Sequence, residues 1–256
     1  MRVAVVFDGA GLARLGLEQA GHSCTGYELD PAKHTLSRHV GSGNTVLADV
    51  RDVDLSGFDA VWASPPCQVH SSARTQGPPV SAFAGDLLDW ALRLPHDVLW
   101  VENVTGMKRG ANDWGTVWNA AQFGPVALQN RNRVIAGRHP APSVDRAYQK
   151  VYEGVCPCIT ATEWKGCASD ARRASRFYGR KLTVEECAHR QGFEIPPAWY
   201  AVRDGFTPVQ WRRNLYEAIG NGVPPFMSRA FGEALHSTPS FGPLFSLSPT
   251  YSRSRP

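Results

Sequence analysis

The sequence predicts an α/β fold built on an open sheet that receives its ligands at the carboxyl ends of its strands. Three observations predict it. Short apolar runs without polar alternation, Val3–Phe7, Asp59–Ala63 and Val98–Val101, read as strands buried on both faces. Segments of helical character separate them, among them Leu12–Ala20, Ala32–His39 and Ser81–Arg93. Chemistry-bearing residues then fall where the apolar runs end, as they do in open α/β sheets: Asp8-Gly9, Cys67 and Glu102.

Bulk composition agrees. A chain of 256 residues, 43% hydrophobic and 20% charged, has the make-up of a soluble globular protein with one domain and a smaller lobe. No apolar run approaches the ~18 residues that span a bilayer, so no membrane partner is expected. The amino terminus lacks a signal-peptide pattern, and the six cysteines do not form a disulfide framework, so a reducing cytoplasm is expected.

The first strand runs into Phe7-Asp8-Gly9-Ala10-Gly11, a glycine turn that lets backbone approach a ligand at the start of the helix from Leu12. The second strand, Cys24–Glu28, ends in Glu28-Leu29-Asp30-Pro31. Its acid lies about 20 residues beyond the glycine turn, where nucleotide-binding α/β folds put a carboxylate for ribose hydroxyls. No lysine-bearing phosphate cradle follows, which favours a nucleoside. After the short strand Val46–Ala48, Asp49-Val50 forms a loop suited to contact an adenine ring.

The stretch Ala63-Ser64-Pro65-Pro66-Cys67-Gln68 ends the third strand in a stiff turn, because each proline fixes φ near ~−65° and removes an N–H. Cys67 is thereby a candidate nucleophile, against the alternative of a buried apolar cysteine. Val69–Pro79 reads as a mobile loop. Glu102-Asn103-Val104 closes the strand Val98–Val101 at the same sheet edge as Cys67, and Thr116–Phe123 reads as a helix. Gln129-Asn130-Arg131-Asn132-Arg133 precedes the strand Val134–Ala136; in an extended segment its two arginines share a face and suit phosphate or carboxylate.

From Arg138 the periodicity fails. Residues 138–181 hold nine Lys/Arg and four acids, while the remainder is close to neutral, so this segment is a candidate polyanion contact. Cys156-Pro157-Cys158 with Cys167 has too short a first spacing for a structural zinc site, and no metal is expected. Helices are read at Thr183–Gln191, Val209–Ile219 and Phe226–Leu235, with Gly220-Asn221-Gly222-Val223-Pro224-Pro225 between the last two. The Ser/Pro-rich end from His236 reads as a disordered tail.

In this order the motifs resemble those of the DNA cytosine carbon-5 methyltransferases, over about Val3 to Leu235. The resemblance implies a Rossmann-like class I methyltransferase domain with a mixed, mostly parallel sheet, plus a small target recognition lobe. It implies catalytic and cofactor-binding residues 1–137, a recognition region at 138–180, a return to the catalytic domain at 181–236 and a tail at 237–256. Cys67 corresponds to the nucleophile, Glu102 to the acid that binds the base, Arg131 to its electrostatic partner and Arg133 to a local support.

S-adenosylmethionine is the implied cofactor, leaving as S-adenosylhomocysteine. Phe7, Asp8, Gly9, Ala10, Gly11, Leu12, Glu28, Leu29, Asp49, Val50, Pro65, Asn221 and Val223 are implied around it. Double-stranded DNA is the implied partner, met by Gln68, Ser71, Arg172, Arg173 and Arg176. A monomer in a bacterial or phage-infected cytoplasm is expected, with or without a restriction nuclease.

Leu12 departs from the family, which usually has a second glycine there, and is expected to crowd the cofactor; Asp8 is a second departure. The rivals are an exocyclic-amino methyltransferase, which would use Ser64-Pro65-Pro66 with an aromatic where Cys67 stands, a related RNA cytosine methyltransferase, and a catalytically silent DNA-binding protein. A recognition region this short is expected to read two to four base pairs, such as a GpC dinucleotide.

Overall fold

The computed structural model describes residues 1–66, 82–106, 115–123, 129–144, 156–166, 174–202 and 205–237, with side chains in the helix that begins at Ala82 described from Leu87. Its centre is β1 (Arg2–Val6), paired in parallel with β2 (Ser23–Glu28) on one side and β4 (Ala60–Ala63) on the other. Successive side chains of a strand point to opposite faces. Val3 and Val5 therefore join a core with Leu17 of α1 (Leu12–Gln19) and Phe231 of α8 (Pro225–Ala234). Ala4 and Val6 join one with Leu88 and Ala91 of α3 (Ala82–Leu92). With both faces covered, the strand needs no polar alternation.

The seven-stranded sheet runs β3-β2-β1-β4-β5-β8-β6, with β3 at Thr45–Leu47, β5 at Val98–Val104, β6 at Gly115–Asn119 and β8 at Asn132–Ala136. The strands from β3 to β5 are mutually parallel, and β8 lies antiparallel to both β5 and β6. The chain works outward from β1 through β2 and β3, then returns to lay β4 on the other side of β1. The carboxyl ends of β1 and β4 therefore diverge and leave a crevice at the switch point. This is a Rossmann-like, mixed and mostly parallel sheet between helices.

A third core joins Leu12 and, from α2 (Pro31–Ser37), Leu36 to Val184 and Cys187 of α5 (Val184–Gln191) and to Trp211, Leu215 and Ile219 of α7 (Pro208–Asn221). Cys156, Ile159 and Ala174 belong to it, so part of the basic segment is packed on these helices. Thr183 starts α5 with a capping box: its hydroxyl accepts from the Glu186 N–H at 3.1 Å, and the Glu186 carboxylate accepts from the Thr183 N–H at 2.8 Å.

Two sequence expectations change. Thr116–Phe123 is not a helix; Gly115–Asn119 forms β6 and Ala120–Phe123 a single 3-10 turn. Thr116, Val117 and Trp118 are β-branched and aromatic, and they pair residue for residue with Ile135, Val134 and Arg133 of β8. The strand from Val98 runs to Val104, so Glu102 and Asn103 lie within the sheet rather than beyond it. The sequence also gave no sign of the pairing of β7 (Gln129–Asn130) with β9 (Cys156–Pro157), or of the short helices α4 (Ala174–Phe177) and α6 (Ala198–Ala201).

Candidate active site

The strand ends at the switch point enclose a cleft of about 680 Å³, part of it open to solvent. Phe7–Ala10 form one side, Glu28 and Lys33 another, and Ser64 with Pro66 a third. Asn221, Gly222 and Val223, where α7 ends, close it. The glycine loop is tightly wound: Phe7 and Gly9 both have φ of 59° and Gly11 has 84°. Such a φ costs a phenylalanine of the order of 1 kcal/mol. Phe7 is held there by its ring, edge-on to Trp90 at 6.0 Å.

Glu28 binds the loop directly. One carboxylate oxygen accepts from the Gly9 N–H at 2.7 Å and the other from the Asp30 N–H at 2.8 Å. A carboxylate offers about four lone-pair directions, so two remain for vicinal hydroxyls in the cleft.

The two departures from the family pattern have structural explanations. Asp8 lines the cleft, yet its carboxylate pairs with Nε of buried Arg14 at 3.2 Å and accepts from the Ser37 hydroxyl. Gly26 makes room, since a Cβ there would fall 2.2 Å from Asp8 Oδ2. Burial pushes the Asp8 carboxyl up, outweighing the pull of Arg14 and the Ser37 hydrogen bond. Its Oδ1 has no hydrogen-bond partner among the described residues. Leu12 packs against Gly222, where an added Cβ would lie 2.5 Å from Leu12 Cδ1. Its bulk is thus taken up by a residue without a side chain on the opposite wall.

Five residues implied around the cofactor do not line the cleft. Gly11 lies against Arg14 and Ser37, and Val50 is buried in the core beneath α3. Leu29 is 58% exposed. Asp49 caps the turn Val50–Asp52, and hydrogen bonds from Arg51 draw its carboxyl down to about 2. The Pro65 carbonyl accepts from Asn103 Nδ2 at 3.2 Å. Lys33, Ala13 and Ala218 line the cleft without a sequence motif to announce them, and Ser64 and Pro66 line it from the double-proline turn.

The double-proline turn is tied on both sides. The Ser64 N–H bonds to the Val6 carbonyl at 3.3 Å, Trp62 Nε1 donates to Ser64 Oγ at 3.0 Å, and Asn103 holds Pro65 from β5. Cys67 follows Pro66 in sequence. It lies outside the described residues, as do Gln68, Ser71, Arg172, Arg173, Cys167, the loop Val69–Pro79 and the tail from residue 238. Arg176 is exposed on α4.

Glu102 is buried in β5, opposite Ile135 of β8. Arg133, the diagonal neighbour on β8, brings its Nε to 2.9 Å from Glu102 Oε1. Arg133, not Arg131, is therefore the arginine in contact with the acid. Arg131 sits in the break between β7 and β8, where strand alternation does not apply, and is fully buried. Its guanidinium donates to the carbonyls of Ile159, Gly220 and Gly222 at 2.8, 3.0 and 2.9 Å and to Cys158 Sγ at 3.1 Å. Burial and the neighbouring Arg133 lower its pKa. Gln129 continues the clamp, donating to the Arg190 carbonyl at 2.9 Å and accepting from the Ile159 N–H at 3.0 Å.

A family model for the C-5 cytosine-specific DNA methylases matches residues 1–112. No curated protein matches the chain. Among solved structures, the Entamoeba histolytica methyltransferase EhMeth is 14% identical with a TM-score of 0.60, over 93% of this chain and 98% of that one. The S. pombe Dnmt2 methyltransferase is 14% identical with a TM-score of 0.59, over 93% and 99%. A Spodoptera frugiperda DNMT2 mutant is 11% identical with a TM-score of 0.54, over 92% and 99%. At such identities these structures establish a shared fold. Over residues 1–112 the sequence resembles the C-5 cytosine-specific DNA methylases at the level of the family, and over most of its length the chain shares the fold of these solved methyltransferases.

Proposed function

We propose that the protein is a DNA cytosine-5 methyltransferase that modifies a cytosine flipped out of a short duplex site through a covalent Cys67 adduct. The observation that carries this reading is the buried Glu102–Arg133 pair, on a strand whose next residue, Asn103, grips the turn that leads into Cys67. The cleft beside it fits a nucleoside-bearing cofactor: Glu28 keeps lone pairs for a ribose diol, and Leu12 and Val223 supply apolar wall. S-adenosylmethionine bound there would supply an electrophilic methyl group.

The chain's own residues do the rest. Carbon 5 of cytosine is a weak nucleophile until the ring loses its aromaticity. Attack of the Cys67 thiolate on carbon 6 forms a C–S bond and pushes the ring electrons towards nitrogen 3. Glu102 has one oxygen committed to Arg133, which leaves Oε2 to give nitrogen 3 its proton. The carboxylate so formed is stabilised by the adjacent guanidinium, as preorganised charge should stabilise a developing anion. After methyl transfer, a base such as water takes the carbon-5 proton, the freed electrons form the C5–C6 double bond as the C–S pair leaves with the Cys67 thiolate, and nitrogen 3 returns its proton to Glu102. Both ring carbons are hidden in a duplex, so the base must flip, at a cost of a few kcal/mol.

A duplex with 5-fluorocytosine at the target tests the reading, because fluorine does not leave as a proton does. With S-adenosylmethionine present, the protein should become covalently attached to it, and Cys67→Ser should abolish the adduct. An adduct that survives this substitution removes Cys67 from the mechanism. A cofactor-dependent label on RNA alone would transfer the reading to RNA.

A further inference from the structure

Away from the cleft, cations gather where the 3-10 turn Glu163–Lys165 meets α7. The half-buried ring of Trp164 is engaged by two of them, with Arg213 Cζ at 4.8 Å and Lys165 Nζ at 5.2 Å from its centroid. Beside it, Lys181 Nζ stands 5.3 Å over the ring of Tyr216. Gly166, with φ of 65°, brings the chain against the Lys181 stem, so that a Cβ there would meet Lys181 Cβ at 3.4 Å and Cγ at 3.7 Å. Lys165 and Lys181 therefore emerge as neighbours on one exposed surface.

The local acids are spent elsewhere. Glu217 pairs with Arg213 at 2.7 Å, Glu186 pairs with Arg180, and buried Glu163 accepts from the N–H and hydroxyl of Ser175 at 3.1 and 2.6 Å. Neither lysine has a carboxylate partner among the described residues. The two ammonium groups thus present uncompensated charge. Each ammonium is held over an aromatic ring, so less side-chain freedom is lost when a ligand arrives.

We propose that Lys165 and Lys181 form a phosphate grip that holds the backbone of duplex DNA. This rests on the DNA reading above. An ammonium is a point charge without the fork that reads base edges, so the contact is with phosphate and is independent of sequence. Trp164 is already occupied by two cations, which argues against a platform for stacking unpaired bases.

The test is Lys165→Gln together with Lys181→Gln, which removes the charge but keeps a polar side chain, in the full chain. Binding to a cytosine-containing duplex is followed by fluorescence anisotropy over a range of salt. Each phosphate contact contributes about 0.9 to the slope of log affinity against log salt. The double variant should lose about 1.8 of that slope, which is roughly 60-fold weaker binding near 0.1 M salt, with the curves converging towards 1 M. If the double variant does not fold, each single variant should lose about half that slope.

Arg2→Gln with Arg93→Gln removes the same charge from exposed residues towards the amino ends of the strands, opposite the cleft, and should leave the slope unchanged. An unchanged slope in the lysine variants, or an equal loss in the arginine control, overturns the grip while leaving the DNA reading intact. A wild-type protein that binds no duplex DNA removes both.

Discussion

Leu12→Gly separates what the sequence alone expects of this position from what the structure implies. From sequence, a leucine where the family has glycine crowds the cofactor, and glycine should tighten binding. In the structure Leu12 is 1% exposed, sits in the core shared by α5 and α7, and fills the space opposite Gly222. Truncating a buried leucine costs ~2–5 kcal/mol, and glycine in a helix up to ~1 kcal/mol more, less at the first position of α1. A loss of about 3–5 kcal/mol is a large share of a typical ~5–15 kcal/mol stability. In a chain of this size it should lower Tm by roughly 6–20 °C. The same cavity loosens Gly222 and Val223, which wall the cleft, so S-adenosylmethionine should bind more weakly. Differential scanning fluorimetry gives the first quantity and titration calorimetry the second. A variant that keeps its Tm and binds the cofactor more tightly refutes the packing argument and restores steric crowding.

The remaining predictions concern charged groups. Glu102→Gln keeps the shape but cannot deliver a proton, so single-turnover methyl transfer should fall ~10²–10⁴-fold with cofactor binding little changed; a rate near wild type would end the acid role. Arg131→Lys and Arg133→Lys should separate: the first should unfold more readily, by at least the ~1.5–3 kcal/mol of one lost charged hydrogen bond, whereas the second should mainly slow the reaction. Equal stability losses in urea melts would contradict the two assignments. Asp8 has its pKa raised above 3.8 by burial, so the native state keeps its proton at pH values where the unfolded chain has released it. Its contribution to stability should therefore be full below about pH 4 and decline as pH rises through the native pKa. The stability difference between wild type and Asp8→Asn should shrink across that window, and a difference that grows with pH would mean that the Arg14 attraction prevails over burial.

How far the fold was legible follows from where each element finds its partners. β1, β4 and the first part of β5 were readable because burial on both faces writes an apolar run into the sequence itself. Thr116–Phe123 was misread because the partner that makes Gly115–Asn119 a strand is β8, which lies later in the chain and leaves no mark within the segment itself. The arginines failed for a related reason. Alternation was applied across Gln129–Arg133 as if the segment were continuous, but Gln129–Asn130 pairs with Cys156–Pro157 and Asn132–Ala136 with β5. Arg131 falls in the gap and turns inward. A two-residue strand has no period to detect. The glycine loop, Glu28 and the closing motif were legible as motifs, but the direction of the Asp8 side chain was not, since Gly26 and Arg14 determine it from other elements.

The Arg131 clamp also bears on how the short segment proposed to meet DNA can serve the site. One buried guanidinium holds the carbonyl of Ile159, next to the basic surface, together with those of Gly220 and Gly222, where the cofactor cleft closes. Gln191 reinforces the same end, donating to the carbonyls of Ile219 and Gly222 at 2.5 and 3.2 Å. The segments touch closely enough that a Cβ at Gly220 would lie 2.2 Å from the Ala161 nitrogen. Burying an arginine is costly unless its donors are met; here each terminal nitrogen has two acceptors, and Nε alone has none among the described residues. A shift of Ile159 therefore strains the wall at Gly220–Gly222, and a shift of that wall strains Ile159. A segment without a core of its own gains a fixed position through this shared group, and whatever it holds is placed in register with the cleft.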